Sequence, residues 1–222
     1  MNLTKEEIII YKQKIEERIS YDNVVICPQD IYIEYMISDK YKLGSQNTSE
    51  KEEGSLTGEI SSKSLKSVGV EYVIVGHSER RKLFDETNEL VNQKIISSLN
   101  ENLIPILCVG ETKEEKEANA TREVIRKQTN ECLKGINEPL VIAYEPRWAI
   151  GTGIIPTNEE IFETTKFIKS ISNNIVLYGG SANPNNIESL LEIKNIDGFL
   201  VGGASLKADS FLKIIEKCQN AN

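Results

Sequence analysis

A carboxylate ends a short apolar run, Leu140 to Ala143, in the segment Ala143-Tyr144-Glu145-Pro146-Arg147-Trp148-Ala149-Ile150-Gly151-Thr152-Gly153. The run has the length of one buried strand, so Glu145 falls at its C-terminal tip, the end at which α/β barrels keep their chemistry. Pro146 and Trp148 stiffen the next stretch of chain, Gly151 and Gly153 hinge it, and Thr157-Asn158-Glu159-Glu160 starts a helix. The loop from Pro146 to Gly153 could therefore close over the carboxylate as a lid. A carboxylate covered in this way loses solvent and gains basicity, which suits a base that moves a proton on carbon. His77 is the only histidine, so any imidazole chemistry must use it. It follows an apolar run and precedes Ser78-Glu79-Arg80-Arg81, a first helical turn whose positive end disfavours imidazolium and keeps the ring a neutral donor. Glycine pairs at Gly179-Gly180, before Ser181, and at Gly202-Gly203, at a helix start, expose amides that can hold an anion without any cation. Taken singly these are weak signals. An isolated strand-end Glu is more often solvated, a lone His more often structural, and a glycine pair is an ordinary turn.

The elements that position these groups alternate. Thr4 and Glu7 suit a capping box for an amphipathic helix through Ile15. Strands are expected at Val24 to Cys27, around Leu43 to Ser45, and at Tyr72 to Val75, Ile104 to Val109, Leu140 to Ala143, Ile175 to Tyr178 and Gly198 to Val201. Helices are expected between them at Ile31 to Ile37, Lys63 to Val68, Asn88 to Leu99, Lys113 to Leu133, Glu159 to Ile171 and Pro184 to Leu191, with a last one at Leu206 to Cys218. Such alternation specifies a parallel sheet with helices outside it. No linker, repeat or low-complexity tract divides the chain, so residues 1–222 read as a single domain.

At 222 residues the chain approaches the lower end of a (β/α)8 barrel, roughly 200 to 250 residues. A net charge of −8 with mixed signs and no basic cluster interleaved with aromatics argues against a nucleic-acid surface. Cys27, Cys108, Cys132 and Cys218 lie far apart without a Cys-x-x-Cys, so neither a metal site nor a disulfide framework is indicated and a reducing cytoplasm is expected. Glu6 and Glu7 stand where a signal peptide would be basic and then apolar, and no apolar run approaches the roughly 20 residues a membrane helix needs.

The segment from Glu145 to Gly153 closely resembles the base-and-lid signature of the triosephosphate isomerase family, and the resemblance runs along the whole chain. Val75-Gly76-His77-Ser78-Glu79-Arg80-Arg81 matches the family's electrophile motif, Cys108-Val109-Gly110-Glu111-Thr112 a turn after a strand, and Tyr178-Gly179-Gly180-Ser181 with Val201-Gly202-Gly203-Ala204-Ser205 its phosphate-gripping loops. The resemblance implies a TIM (β/α)8 barrel that interconverts dihydroxyacetone phosphate and glyceraldehyde 3-phosphate through an enediol(ate), a step of glycolysis and gluconeogenesis. Glu145 would be the proton acceptor, His77 the electrophile and Glu79 a supporting residue. Gly151, Ser181, Gly202 and Gly203 would hold the substrate phosphate, and no cofactor is expected. The loop Leu56-Thr57-Gly58-Glu59 matches the arm that family members insert into an opposite subunit, with Thr57 near the other active site, which implies a homodimer. A polar excursion of this kind is ordinarily a solvated loop.

The chain also departs from the family pattern. Family members open with a strand ending in Asn-x-Lys-Met-Asn, whereas this sequence starts at Met1-Asn2, so the first strand and its ammonium are expected to be missing from the barrel. Either the gap closes, another chain fills it, or the gene product starts upstream of Met1, which is the favoured expectation. Arg147 replaces a small apolar hinge residue. Pro156 stands where the family's lid offers a backbone N–H to the hydroxyl of the residue matching Tyr178, and proline has none to offer. Three readings are open: a triosephosphate isomerase limited by the missing Lys, an isomerase of a four-carbon ketose phosphate, and a non-catalytic barrel.

Overall fold

The computed structural model describes residues 2–19, 23–150 and 154–221. Thr4 caps α1 (Lys5–Glu16): its side chain accepts from Glu7 N–H while the Glu7 carboxylate accepts from Thr4 N–H, so two of the donors at the helix start are satisfied. Ile8, Tyr11 and Ile15 recur on one face and are buried, which seats the helix as a barrel wall, while Ile9 and Ile10 stay exposed. The same capping logic starts α5 (Lys113–Glu117) at Thr112 with Glu115, and α7 (Asn158–Ile171) at Thr157 with Glu160.

Seven parallel strands succeed one another in chain order: β1 (Val25–Ile26), β2 (Lys42–Ser45), β3 (Tyr72–Val75), β4 (Ile104–Val109), β5 (Val141–Tyr144), β6 (Ile175–Tyr178) and β7 (Gly198–Phe199). The remaining helices α2 (Ser62–Ser67), α3 (Ser78–Leu83), α4 (Asn88–Asn100), α6 (Thr121–Cys132), α8 (Ile187–Leu191) and α9 (Ala208–Asn220) lie between or after them. The pairs Val109 with Tyr144 and Tyr144 with Tyr178 bring the tips of β4, β5 and β6 level, while Val75 at the end of β3 pairs with Leu107, two residues short of the end of β4. Alternation along each strand then sorts the side chains. Ile74, Ile106, Cys108, Val141 and Ala143 point inward as a small cluster. Val73, Val75, Leu107, Val109, Ile142, Tyr144 and Val176 point outward into a larger layer with Val91, Ile95, Ile125, Ile161 and Leu212 of the helices. Each fully buried aliphatic side chain there contributes about 1.5–3 kcal/mol by leaving water, so this outer layer dominates the stability.

Over the described residues the sheet is a TIM barrel lacking one strand. Among the described residues β1 and β7 are the two ends of the strand order, and they do not pair. A cleft of about 1680 Å³ runs between them, lined at depth by Val25, Ile26, Phe199, Ile214 and Ile215 and at its mouth by His77, Glu145 and Gly202.

Several elements differ from the sequence expectation. Ile31 to Ile37 forms two 3-10 turns, Asp30–Tyr32 and Glu34–Met36, instead of a helix. Only Ile33 and Met36 find burial there, while Ile31, Tyr35 and Ile37 stay exposed, so no continuous apolar face exists to carry a helix. The long helix Lys113 to Leu133 breaks into α5 and α6 at Asn119, whose φ of 58° lies in the left-handed region that Asn tolerates. The helix expected from Pro184 starts at Ile187, and the strands at Val24 and Gly198 shrink to two residues each, as befits strands with one unpaired edge. No helix among the described residues is long and apolar enough to cross a membrane.

Candidate active site

Because Ala143 faces inward, strand alternation turns Glu145, two residues on, to the same side, and the β5 tip sets it in the mouth of the cleft. The residue is 2 % exposed. Its Oε1 lies 2.9 Å from His77 Nε2, and its Oε2 accepts from Ser78 N–H at 2.8 Å. His77 itself is the N-cap of α3, and its Nδ1 accepts the Glu79 amide at 3.2 Å. An Nδ1 that accepts carries no proton, so the neutral ring places its N–H on Nε2, aimed into the cleft. The Nε2–H and the Glu145 carboxylate are in direct contact at the mouth of the cleft, where a ligand would have to part them.

Two glycines make that placement possible. A Cβ on Gly110 would stand 1.7 Å from the Glu145 carbonyl oxygen, and one on Gly179 would stand 2.9 Å from Glu145 Cγ. Arg81 ties the turn before His77 to its neighbours, with Nε donating to Gly76 O at 2.8 Å and Nη1 to Asn88 Oδ1 at 2.7 Å. Arg80 donates to the buried Glu86 at 2.5 Å, as does the 2 % exposed Lys94, which also donates to Asn47 Oδ1 at 2.8 Å. A continuous ionic network therefore joins the helix that carries His77 to the base of the arm.

The electrostatics at His77 pull in two directions. Burial pushes the His77 pKa down, but the hydrogen bond and charge of Glu145, and then the charge of Glu79, outweigh it, and the net direction is upward. The helix start alone points to a ring held neutral. The carboxylate at 2.9 Å acts against it. Glu111, fully buried, is also raised: burial dominates, partly offset by donation from its own backbone and from Trp148 and Tyr144.

The residues read as phosphate ligands line the same mouth. Ser181, Gly202 and Gly203 border the cleft, and a Cβ at either glycine would meet nothing within 4 Å, so the backbone there is open to a ligand. The turn after Gly202 is 3-10, Gly203–Leu206, and not the start of the α-helix expected from Leu206, which begins at Ala208. Of the lid, Pro146, Arg147, Trp148, Ala149 and Ile150 are described, whereas Gly151, Thr152 and Gly153 lie outside the described residues. Trp148 Nε1 donates to Glu111 Oε1 at 2.8 Å, and Arg147 N–H to Glu111 O at 3.1 Å, which seats the first half of the lid. The Tyr178 hydroxyl is buried and has no hydrogen-bond partner among the described residues, in keeping with a proline at position 156. Thr57 lies in an exposed loop whose base is closed by Ser49 N–H donating to Ile60 O at 2.8 Å. The Glu79 side chain is 74 % exposed and sits 3.9 Å from His77 Nδ1, with no Lys or Arg at ion-pair distance among the described residues.

A family model described as triosephosphate isomerase matches residues 1–218. A triosephosphate isomerase of Alkaliphilus oremlandii is 42 % identical, with 97 % of this chain and 95 % of that protein covered. Its counterpart from Dictyoglomus thermophilum is 45 % identical, covering 92 % and 90 %, and one from Mycoplasmopsis pulmonis is 51 % identical over 78 % and 71 %. The chain belongs to the triosephosphate isomerase family. That membership accounts for the order of the strands, in which β4 separates β3, whose end carries His77, from β5, whose end carries Glu145.

Sequence reasoning missed three participants. Ser78 acts through its backbone amide on Glu145, which no side-chain motif reveals. Cys108, 1 % exposed, feels Glu145: burial first and then that carboxylate's charge push its thiol pKa well up, which keeps it inert. Lys116 reaches both Trp148 in the lid and Glu160 beyond it. The alternation of inward residues on β4 and β5 was the available signal for Cys108; Lys116 is one charge among many in the sequence.

Proposed function

We propose that the chain is an intramolecular aldose–ketose isomerase that interconverts dihydroxyacetone phosphate and glyceraldehyde 3-phosphate. The observation that carries this reading is the juxtaposition of a nearly fully buried carboxylate with the imidazole Nε2, 2.9 Å apart at the mouth of a cleft rimmed by open glycine amides. Glu145 takes the proton from the carbon next to the ketose carbonyl while the His77 Nε2–H donates to the carbonyl oxygen, which yields an enediol(ate). Return of the proton from Glu145 to the adjacent carbon gives the aldehyde, with no net change in atoms or charge. The phosphate dianion is held by amides near Ser181, Gly202 and Gly203, with Gly151 contributed by the lid; the backbone openness at both glycines of the pair supports this. No metal or redox group is needed for such a proton shift.

Both Glu145 oxygens are engaged by protein donors, so substrate must exchange places with His77 and Ser78 before the carboxylate reaches carbon. Retention of the base–electrophile pair disfavours a non-catalytic barrel, and relatives named triosephosphate isomerase give no support for a longer sugar phosphate. The exposed arm around Thr57, with Leu83 and Phe84 at 65 % and 62 % exposure beside the His77 helix, supports a homodimer. Glycolysis and gluconeogenesis in the cytoplasm are the corresponding setting. The test is isomerisation in D2O read by NMR: deuterium must enter the carbon next to the carbonyl of either triose phosphate, and Glu145→Gln must abolish that entry. Equal exchange by parent and variant would refute the reading.

A further inference from the structure

Tyr178 leaves its hydroxyl without a partner among the described residues, yet the two ends of the lid are joined elsewhere, through one lysine. Lys116, on α5, places its ammonium 5.3 Å from the ring centroid of Trp148, in the first half of the lid. The same ammonium donates to Glu160 Oε1 at 2.8 Å. Glu160 is the residue whose other oxygen accepts from Thr157 N–H at 2.9 Å and from Thr157 Oγ1 at 3.1 Å, closing the capping box at the start of α7, just beyond the lid's second half. Trp148 is fixed on a further side by Glu111, at 2.8 Å from its indole N–H. One cation therefore touches the aromatic anchor of the entering stem and the cap of the departing one. The shift of Glu160 to a lower pKa, caused first by its hydrogen bond to Lys116, agrees with a formed pair.

We propose that Lys116 is a positioning residue for the lid, clamping the Trp148 stem to the capped start of α7 so that both stems hold one relative placement. The proposal rests on the isomerase reading only for its kinetic consequence. A lid whose stems are held together presents one geometry over Glu145, whereas stems that drift apart spread the lid over several, of which few exclude water. A cation–π contact and a half-exposed ion pair are each modest, so the effect is several-fold and not all-or-none.

Trp148 is the only tryptophan in the chain, so its fluorescence reports this stem alone. In Lys116→Met, acrylamide quenching of Trp148 should rise roughly twofold and kcat fall roughly threefold to tenfold, as expected for contacts of this strength. Lys116→Arg, which keeps both the charge and the stacking, should restore both readouts. The kcat effects of Lys116→Met and Glu160→Gln should be non-additive, since each breaks the same link. Unchanged quenching in Lys116→Met, or strictly additive effects of the two substitutions, overturns the proposal. Altered quenching in a protein whose parent shows no isomerisation supports the clamp and refutes the isomerase reading instead.

Discussion

Shortening the base by one methylene, Glu145→Asp, separates chemistry from binding. The carboxylate withdraws by about 1 Å. In the parent its oxygens sit 2.9 Å from His77 Nε2 and 2.8 Å from Ser78 N, so after withdrawal both separations pass beyond hydrogen-bond range. These contacts must be broken before reaction in any case, so their loss is not a second penalty on the rate. The distance to the substrate carbon is decisive: near-attack geometry tolerates little slack, and a 1 Å error is worth roughly a hundredfold, about 2.7 kcal/mol in the barrier. The proposed phosphate grip at Ser181, Gly202 and Gly203 is untouched. kcat should therefore fall roughly a hundredfold or more while the dissociation constant of inorganic phosphate, measured by calorimetry, stays within about a factor of two. The Asp carboxylate, still buried but stripped of two donors, should also lower the urea midpoint, since an unpaired buried polar group costs about 1–3 kcal/mol. A coupled spectrophotometric assay gives kcat and KM separately. Parent-like kcat in the variant, or phosphate affinity falling as far as the rate, would refute the assignment of Glu145 as base.

The remaining tests address other parts of the same structure. Appending an N-terminal strand that ends in Asn-x-Lys should fill the space between β1 and β7 and raise isomerisation on the order of 10²–10³-fold, because an ammonium facing phosphate and a developing enediolate stabilises the transition state by several kcal/mol. Equal activity of the two forms in the coupled assay would mean that another cation serves. The His77 pKa, tracked by imidazole NMR in the absence of substrate, should lie above 6.5 and drop in Glu145→Gln, which removes the charge that raises it. With the folded pKa raised, this histidine's contribution to stability is fully present below its unfolded pKa and is lost as pH rises through the folded value, so urea midpoints of parent and Glu145→Gln should differ most at low pH. Lys94→Met, which leaves Glu86 buried with Arg80 alone, should cost about 3–5 kcal/mol in urea unfolding; a loss under about 1 kcal/mol would show that the network is not sealed from water.

What the sequence made legible was whatever a local rule decides. β3, β4 and β6 begin and end where their apolar runs do, because turn residues bound each run, and the capping boxes at Thr4 and Thr157 are short patterns with one geometric solution. The Asn119 break was hidden among helix formers: nothing but the tolerance of Asn for a positive φ marks it. The Ser78 amide meets Glu145 across 67 positions of sequence, so its role depends on the pairing register of β3, β4 and β5 and not on any residue type. The lid shows both sides of this divide. That Pro156 withdraws a donor was plain, since a missing N–H is a covalent fact true in any fold. That a lysine on α5 instead spans Trp148 and the Glu160 cap could not be plain. The link joins three elements that the chain visits at positions 116, 148 and 160, and only the curvature of the sheet brings them within one side chain's reach.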